Sequence, residues 1–257
     1  MPPAYHDALD AALAGLGIDL DDTARSAIDG HVRLLIAWNA VINLSAIRDP
    51  AGIAIRHVAD SLTALPELRR RGIDRFVDLG SGGGFPGLPL AASVPADRAL
   101  LIDSVGKKVR FLATVIEATG MGRSVAAEAA RSESLAASPA DRGRWPAVTA
   151  RAVAPLAELV ELALPLVRPG GILVSWKRDA ASGGRGLADE LAAGRRALAA
   201  IDPEGRIDVQ PALSGRASGH GILAELVDHR LILVERGRGP VAGAWPRDPA
   251  ARSRGAW

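Results

Sequence analysis

Residues 78–90 read DLGSGGGFPGLPL, with five glycines and two prolines. The apolar run Phe76–Leu79 enters this stretch and the helix-forming segment Leu88–Ala92 leaves it. Glycine weakens regular structure because it has the most backbone freedom to lose on folding. A chain concentrates it where the backbone must turn sharply and something must approach with no Cβ in the way. A strand, a glycine turn and a helix in succession form the first unit of a doubly wound α/β sheet. Ligands of such sheets bind beyond the carboxyl ends of the strands, where the strand order reverses.

The rest of the chain supports that unit. Short apolar runs recur at Ala99–Ile102, Val125–Ala127, Ala147–Ala150 and Gly171–Trp176, with further strand candidates at Arg206–Val209 and His229–Val234. Helical patterns fall at Lys107–Thr119, Leu156–Val167 and Gly186–Ala200. The expectation is an α/β fold with a doubly wound, mainly parallel, seven-stranded sheet. Residues 4–64 read as helical. Ala24, Ile28, Val32, Leu35 and Trp38 share one face, with Asp21, Asp22 and Thr23 as the start signal. A second helix starts near Pro50 and is stopped by Pro66. This predicts a helical extension over 1–70 packed on a main domain over 71–236, then a basic, disordered tail over 237–257.

Composition narrows the chemistry. The chain has no cysteine, which excludes disulfides, thiolate metal sites and a cysteine nucleophile, and fits a reducing compartment. The opening MPPAYHDALD is no signal peptide and no run matches a membrane span, so a cytoplasmic, monomeric protein is expected. Residues 236–257 carry five arginines and one acid; the whole chain is +2, which leaves about −2 on residues 1–235. Any contact with nucleic acid must therefore rest on local clusters, helped by the flexible basic tail.

Two cofactor registers fit the glycine stretch. Gly82-Gly83-Gly84-Phe85-Pro86-Gly87 matches the dinucleotide pattern G-x-G-x-x-G. Asp78-x-Gly80-x-Gly82-x-Gly84 instead puts an acid at the strand end, as in S-adenosylmethionine-dependent methyltransferases. There Asp78 would be the counter-charge to the methionine amino group; beside a pyrophosphate it would repel. Asp103, at the end of ALLIDS, suits ribose hydroxyls in either register.

Downstream, WNAVINLSAIRDP, RHVADSL, DLGSGGGFPGLPLA, LIDSVGKKVRFL, ARSESL, ARAVAPL, RPGGILVSWK and HRLILVE follow in order. Over about residues 30–235 the chain resembles the RsmG (GidB) family of bacterial small-subunit ribosomal RNA guanine-N7 methyltransferases. The resemblance implies a Rossmann-like class I methyltransferase fold with an N-terminal helical extension and S-adenosyl-L-methionine as cofactor. The substrate it implies is guanine N7 in the 530 loop of 16S ribosomal RNA, free or in a small-subunit precursor. Asp78, Gly80, Gly82, Gly84 and Phe85 would line the methionine and adenosine path. Asp103, with Ser104 and Val105, would hold the ribose; Ser132 and Glu133 would flank the adenine; Arg151 would position base and cofactor. This chain departs from the family at Pro146, where an acid is common, and at Arg178, where Lys177 is usually followed by glycine.

The chemistry agrees with the composition. Methylation at pyrimidine C5 usually needs a cysteine, and amino methylation of adenine commonly uses an Asn/Asp-Pro-Pro-aromatic loop where this chain has ARAVAPL. Guanine N7 carries a free lone pair, so positioning suffices and neither a general base nor a metal is expected. Arg56, Lys107, Lys108, Arg110 and Lys177 are assigned to RNA phosphates. His57 and Asp60 stand three apart on a helix and would pair, either as a lock between helix and sheet or as an RNA-facing lid. Asn43 reads as a cap or turn residue. Two other functions fit the motifs: a small-molecule methyltransferase, and a catalytically silent RNA-binding protein of ribosome assembly. The intact Asp78, Gly80, Gly82, Gly84 and Asp103 argue against the latter.

Overall fold

Strands β1 (Arg75–Leu79), β2 (Arg98–Asp103), β3 (Val125–Ala129), β4 (Trp145–Arg151), β5 (Val167–Arg178), β6 (Arg206–Pro211) and β7 (His229–Glu235) form one sheet in the order β3-β2-β1-β4-β5-β7-β6. The computed structural model describes residues 1–94, 97–179, 186–213, 221–241 and 245–255, without the side chains of 253 and 254. The chain winds outward from β1 to β3, then returns to the other side of β1 with β4. The order therefore reverses between β1 and β4, and the glycine stretch leaves β1 at that point. Pairings from β3 to β5 are parallel; β7 runs antiparallel to both neighbours.

Alternation along each strand builds two apolar layers. Phe76, Ala99, Leu101 and Ala147 face one way, while Val77, Leu79, Leu100 and Val148 face the other. The first layer is covered by α1 (Pro3–Leu16), α2 (Asp22–Trp38), α3 (50–62), α4 (Leu65–Arg70), α5 (Gly87–Ser93) and α6 (Gly106–Ala118). The second is covered by α7 (Ser132–Ala137), α8 (Leu156–Ala163) and α9 (Leu187–Ile201). Tyr5, Leu9, Ile28 and Leu35 belong to the same cluster as Phe76, so the N-terminal helices and the sheet share one core.

Several boundaries differ from the sequence pattern. Pro66 does not stop a helix but stands in the first turn of α4, where its missing N–H costs nothing. Within α3, Ile53–Ala59 is π-helical between short α-helical turns at Pro50–Gly52 and Asp60–Leu62. The helix expected to reach Val167 ends at Ala163, and Val167 opens β5. Pro146 is accommodated by a register shift between Trp145 and Ala147.

The tail departs furthest. Arg236 is only 8% exposed and pairs through its backbone with Gly170 and Gly171. Beyond it, Asp248 caps a further helix, α10 (Pro249–Arg254), and Arg247 and Arg252 bond Glu161 and Glu133 of the body. The disorder expected from a Gly-, Pro- and Arg-rich composition is thus replaced, among the described residues, by docking on acidic side chains. Residues 242–244, 256 and 257 lie outside the described residues.

Since Leu9 has no exposed surface and shares the core with Phe76, Leu9→Ala should cost about 2–5 kcal/mol. Urea unfolding followed by both far-UV dichroism and tryptophan fluorescence should still show a single transition. Two separated transitions would make residues 1–70 an independent unit instead.

Candidate functional site

The register sets the site. Leu79 pairs with Ile102 on one side and with Ala150 on the other. The next residues, Gly80, Asp103 and Arg151, therefore stand level at the carboxyl edge of three adjacent strands. Gly80 is exposed, so its backbone is open to a ligand where the strand ends. It takes φ 64°, Gly82 φ 56° and Gly84 φ 90°, all in the region glycine favours. At Gly84 a Cβ would run into Leu88 and stand 2.8 Å from His31 Nε2.

Asp103 closes the glycine turn onto β2. Its Oδ2 accepts from the Gly82 N–H at 3.0 Å and its Oδ1 from the Val105 N–H at 2.8 Å. Each oxygen keeps a second lone pair for a ligand hydroxyl. Ser104 and Val105, just beyond, are exposed. Ser132 is 7% exposed, and its Oγ is buried without a hydrogen-bond partner. A lone hydroxyl of that kind needs an explanation, and a bound ligand is one.

Asp78 is placed differently from its sequence reading. It has no exposed surface; Oδ1 accepts from Thr149 Oγ1 at 2.7 Å, while Oδ2 faces Gly87 without a partner. Burial pushes its carboxyl up to about 6, against the Thr149 hydroxyl that pulls it down. A direct ion pair with a ligand amino group is closed off, because the glycine turn and the start of α5 cover the carboxylate. Phe85 is also withdrawn from the open edge. It is 7% exposed, lies against His31 (4.5 Å between centroids), stacks on His57 (4.6 Å, 14°) and has the Arg151 guanidinium 5.6 Å away.

Arg151 is the centre of a polar chain that joins four elements. Its Nη1 donates to Asp60 Oδ2 at 2.7 Å and to the Arg56 carbonyl at 3.3 Å, and its Nη2 lies 3.4 Å from His57 Nδ1. Asp60, 2% exposed, also accepts from His229 Nδ1 at 2.7 Å, and Arg178 Nε donates to His229 Nε2. Burial alone would raise the Asp60 carboxyl; His229 and Arg151 outweigh it and hold it below its usual range. His57, with Nε2 2.6 Å from Ser45 Oγ, is held neutral: burial first, then the Arg151 charge, push it down to about 3. The expected pair between His57 and Asp60 does not form. The wider π-helical turns break the 3.6-residue spacing on which it rested.

The residues assigned to RNA divide. Lys107 and Arg110 are exposed on the first turns of α6 and have no acidic partner among the described residues. Lys108 lies 3.7 Å from Asp103 Oδ2, so it belongs to the edge of the carboxylate site. Arg56 is engaged by Asp49 and Glu225. Lys177 is 14% exposed and bonds Glu190 and the Ala154 carbonyl, so its assignment to phosphate is withdrawn. Glu133 does not offer a free carboxylate to an adenine; Arg252 holds it.

Three residues escaped the sequence reading. His31 donates from Nε2 to the Gly83 carbonyl at 2.7 Å and pins the glycine turn to α2; burial lowers it to about 4. Its signal was an imidazole on the apolar face between Ile28 and Leu35. Asn39, rather than the exposed Asn43, organises the loop after α2 by accepting from Leu44 and Ser45 and donating to the Ser45 carbonyl. Ala152 follows Arg151 with φ 57°, a strained conformation for alanine at the edge of the site; nothing in its identity announces this.

Comparison with known proteins agrees with this geometry. The family model GidB, rRNA small subunit methyltransferase G, matches residues 25–199. The "Ribosomal RNA small subunit methyltransferase G" of Roseiflexus sp. (strain RS-1) is 37% identical over 232 residues, covering 90% of this chain and 91% of its own. The protein of the same name from Burkholderia thailandensis is 39% identical over 181 residues, covering 68% and 78%. Among solved structures, the O-methyltransferase from Bacillus cereus in complex with SAH aligns with a TM-score of 0.55 at 16% identity, over 85% of this chain and 93% of that one. The O-methyltransferase TomG from Streptomyces achromogenes, in complex with SAM, aligns at 0.53 and 17%, over 85% and 92%. At such identities the structures speak for the fold, which is that of a Rossmann-like class I methyltransferase.

The raised Asp78 carboxyl gives a pH signature. The folded chain holds this proton more tightly than the unfolded chain, whose carboxyl titrates near pH 4, at about 3.9. The resulting stability is present below that value and is lost as pH rises through about 6. Asp78→Asn lacks this loss. Its stability relative to the parent should rise by on the order of 3 kcal/mol between pH 4 and 7 in urea titrations. A flat difference would mean that Asp78 is ionised and satisfied throughout.

Proposed function

This chain belongs to the GidB family, the rRNA small subunit methyltransferases G, and from that premise we propose that it methylates guanine N7 in the 530 loop of 16S ribosomal RNA, with S-adenosylmethionine as donor. The observation that carries this reading is the level row at the sheet edge: the open Gly80 backbone, the Asp103 carboxylate and the Arg151 cation. The donor, when bound, supplies a sulfonium methyl for in-line displacement. Asp103 keeps lone pairs for ribose hydroxyls, and the buried Ser132 Oγ lacks a partner beside the expected adenine end. The base needs no deprotonation at N7, so the protein's task is orientation. Among the described residues, Arg151 Nε and one Nη2 hydrogen make no bond, and these suit guanine O6 while N7 stays free to attack.

RNA contact rests on the end of α2 and the start of α6. A Cβ at Gly30 would lie 2.9 Å from Thr119, and Trp38 lies 5.7 Å from Phe111. The two helices therefore run antiparallel, which brings the end of α2 toward the start of α6; Ile36 and Val41 are exposed near the one, Lys107 and Arg110 on the other. Unpaired cations beside exposed apolar side chains suit phosphates and unstacked bases.

Mass spectrometry of 16S RNA fragments tests the reaction: cells lacking the protein should lose one methyl group from a guanine of the 530 loop. An unchanged fragment would reject the assignment. Asp103→Ala should weaken S-adenosylmethionine binding in calorimetry by roughly 1.5–3 kcal/mol, whereas NAD should not bind. Replacing both Lys107 and Arg110 by alanine should lower the log–log salt slope of RNA binding by about one per lost contact, with cofactor binding unchanged. An unaltered slope would place the RNA elsewhere.

A further inference from the structure

Glu161 lies on α8 with no exposed surface, among the apolar side chains of the second core layer. A buried carboxylate without a partner is costly. The tail supplies a partner here. Arg247 donates from its backbone N–H and Nε to Oε1, at 2.7 and 3.0 Å, and from Nη2 to Oε2 at 2.7 Å. Arg142 adds a bond from its guanidinium to the Trp245 carbonyl. This anchor fixes where α10 begins, and Asp248 caps that helix through the Ala251 N–H.

Arg252 then reaches back toward the ligand edge. It is 10% exposed, bonds Glu133 on α7 and the Arg247 carbonyl at 2.7 Å, and stands in ion-pair range of Glu158 on α8 at 3.4 Å. Glu133 is the neighbour of Ser132, and both stand in the first turn of α7. Their side chains have different surroundings: the Glu133 carboxylate meets the tail, while the Ser132 hydroxyl is buried and unpartnered. α7 is a helix of six residues. So short a helix is marginal by itself and takes its position from what packs on it.

We propose that Arg252 is a positioning residue for the cofactor site: by holding Glu133 it fixes the first turn of α7 and so the place of Ser132 at the adenine end. The docked tail is then part of the cofactor site, although it touches no cofactor. This rests on the S-adenosylmethionine reading above. It also assigns the tail arginines 247 and 252 to the body rather than to RNA, since carboxylates already hold both.

The test uses the full chain and S-adenosylmethionine binding by calorimetry. Arg252→Gln and Arg252→Glu should each weaken binding, by about fivefold to tenfold for the charge reversal. Combining Arg252→Glu with Glu133→Arg should restore most of the affinity, which a role limited to surface charge or general stability would not do. Thermal melting of each variant separates these effects from unfolding. Coupling is reciprocal, so saturating S-adenosylmethionine should slow tryptic cleavage after Arg247 in the parent and not in Arg252→Gln. Unchanged affinity in both single variants, or no rescue in the swapped pair, overturns the proposal. A parent chain that binds no S-adenosylmethionine overturns the cofactor reading itself, and this inference with it.

Discussion

A single carboxylate, that of Asp60, holds the helical N-terminal third to the sheet at the edge where the site lies. It is 2% exposed and bonds Arg151 of β4 and His229 of β7, while its backbone carbonyl accepts from Trp176 Nε1 of β5 at 2.8 Å. Three strands are thereby tied to one turn of α3. A buried charge is tolerable only when it is paired and hydrogen-bonded, and here each carboxylate oxygen accepts a bond. The pair also determines what Arg151 can do. A guanidinium anchored on one side keeps its remaining donors pointed at a fixed place, which a free arginine on a loop does not.

The strands were legible because alternating apolar runs and helical periodicity survive in sequence: Phe76–Leu79 and Ala99–Ile102 fall inside β1 and β2. Asp103 was legible for the same reason, as the first polar residue after such a run. What was lost depended on geometry between elements. Burial of Asp78 is a consequence of α5 packing over it, with Gly87 against the carboxylate. The partners of Asp60 lie 91 and 169 residues away, and no local spacing announces them. The π-helical turns of α3 also defeat any pairing counted at 3.6 residues per turn. Composition misread the tail, because Gly, Pro and Arg were weighed without the buried acid that receives them.

Charge pairing sorts the surface in a way that residue counts do not. Arg56, Lys177, Arg247 and Arg252 are spent on carboxylates within the fold, while Lys107 and Arg110 are left to solvent. Arg178, the departure after Lys177, has a specific partner in His229 and so extends the polar chain behind Arg151. Lys108 shares the Asp103 carboxylate with the glycine turn, which links the start of α6 to the floor of the site.

The anchoring of the tail also bears on the order in which the chain is made. Glu161 and Arg247 are separated by 86 residues. At synthesis rates of roughly 5–20 residues per second, the acid leaves the ribosome several seconds before its partner. During that interval the Glu161 carboxylate lacks the bonds that the Arg247 backbone and guanidinium give it, and α8 is without this anchor. Docking of the tail on this layer therefore waits for Arg247 to be made. A chain that stops short of Arg247 would present the sheet and its glycine turn without this anchor on α8.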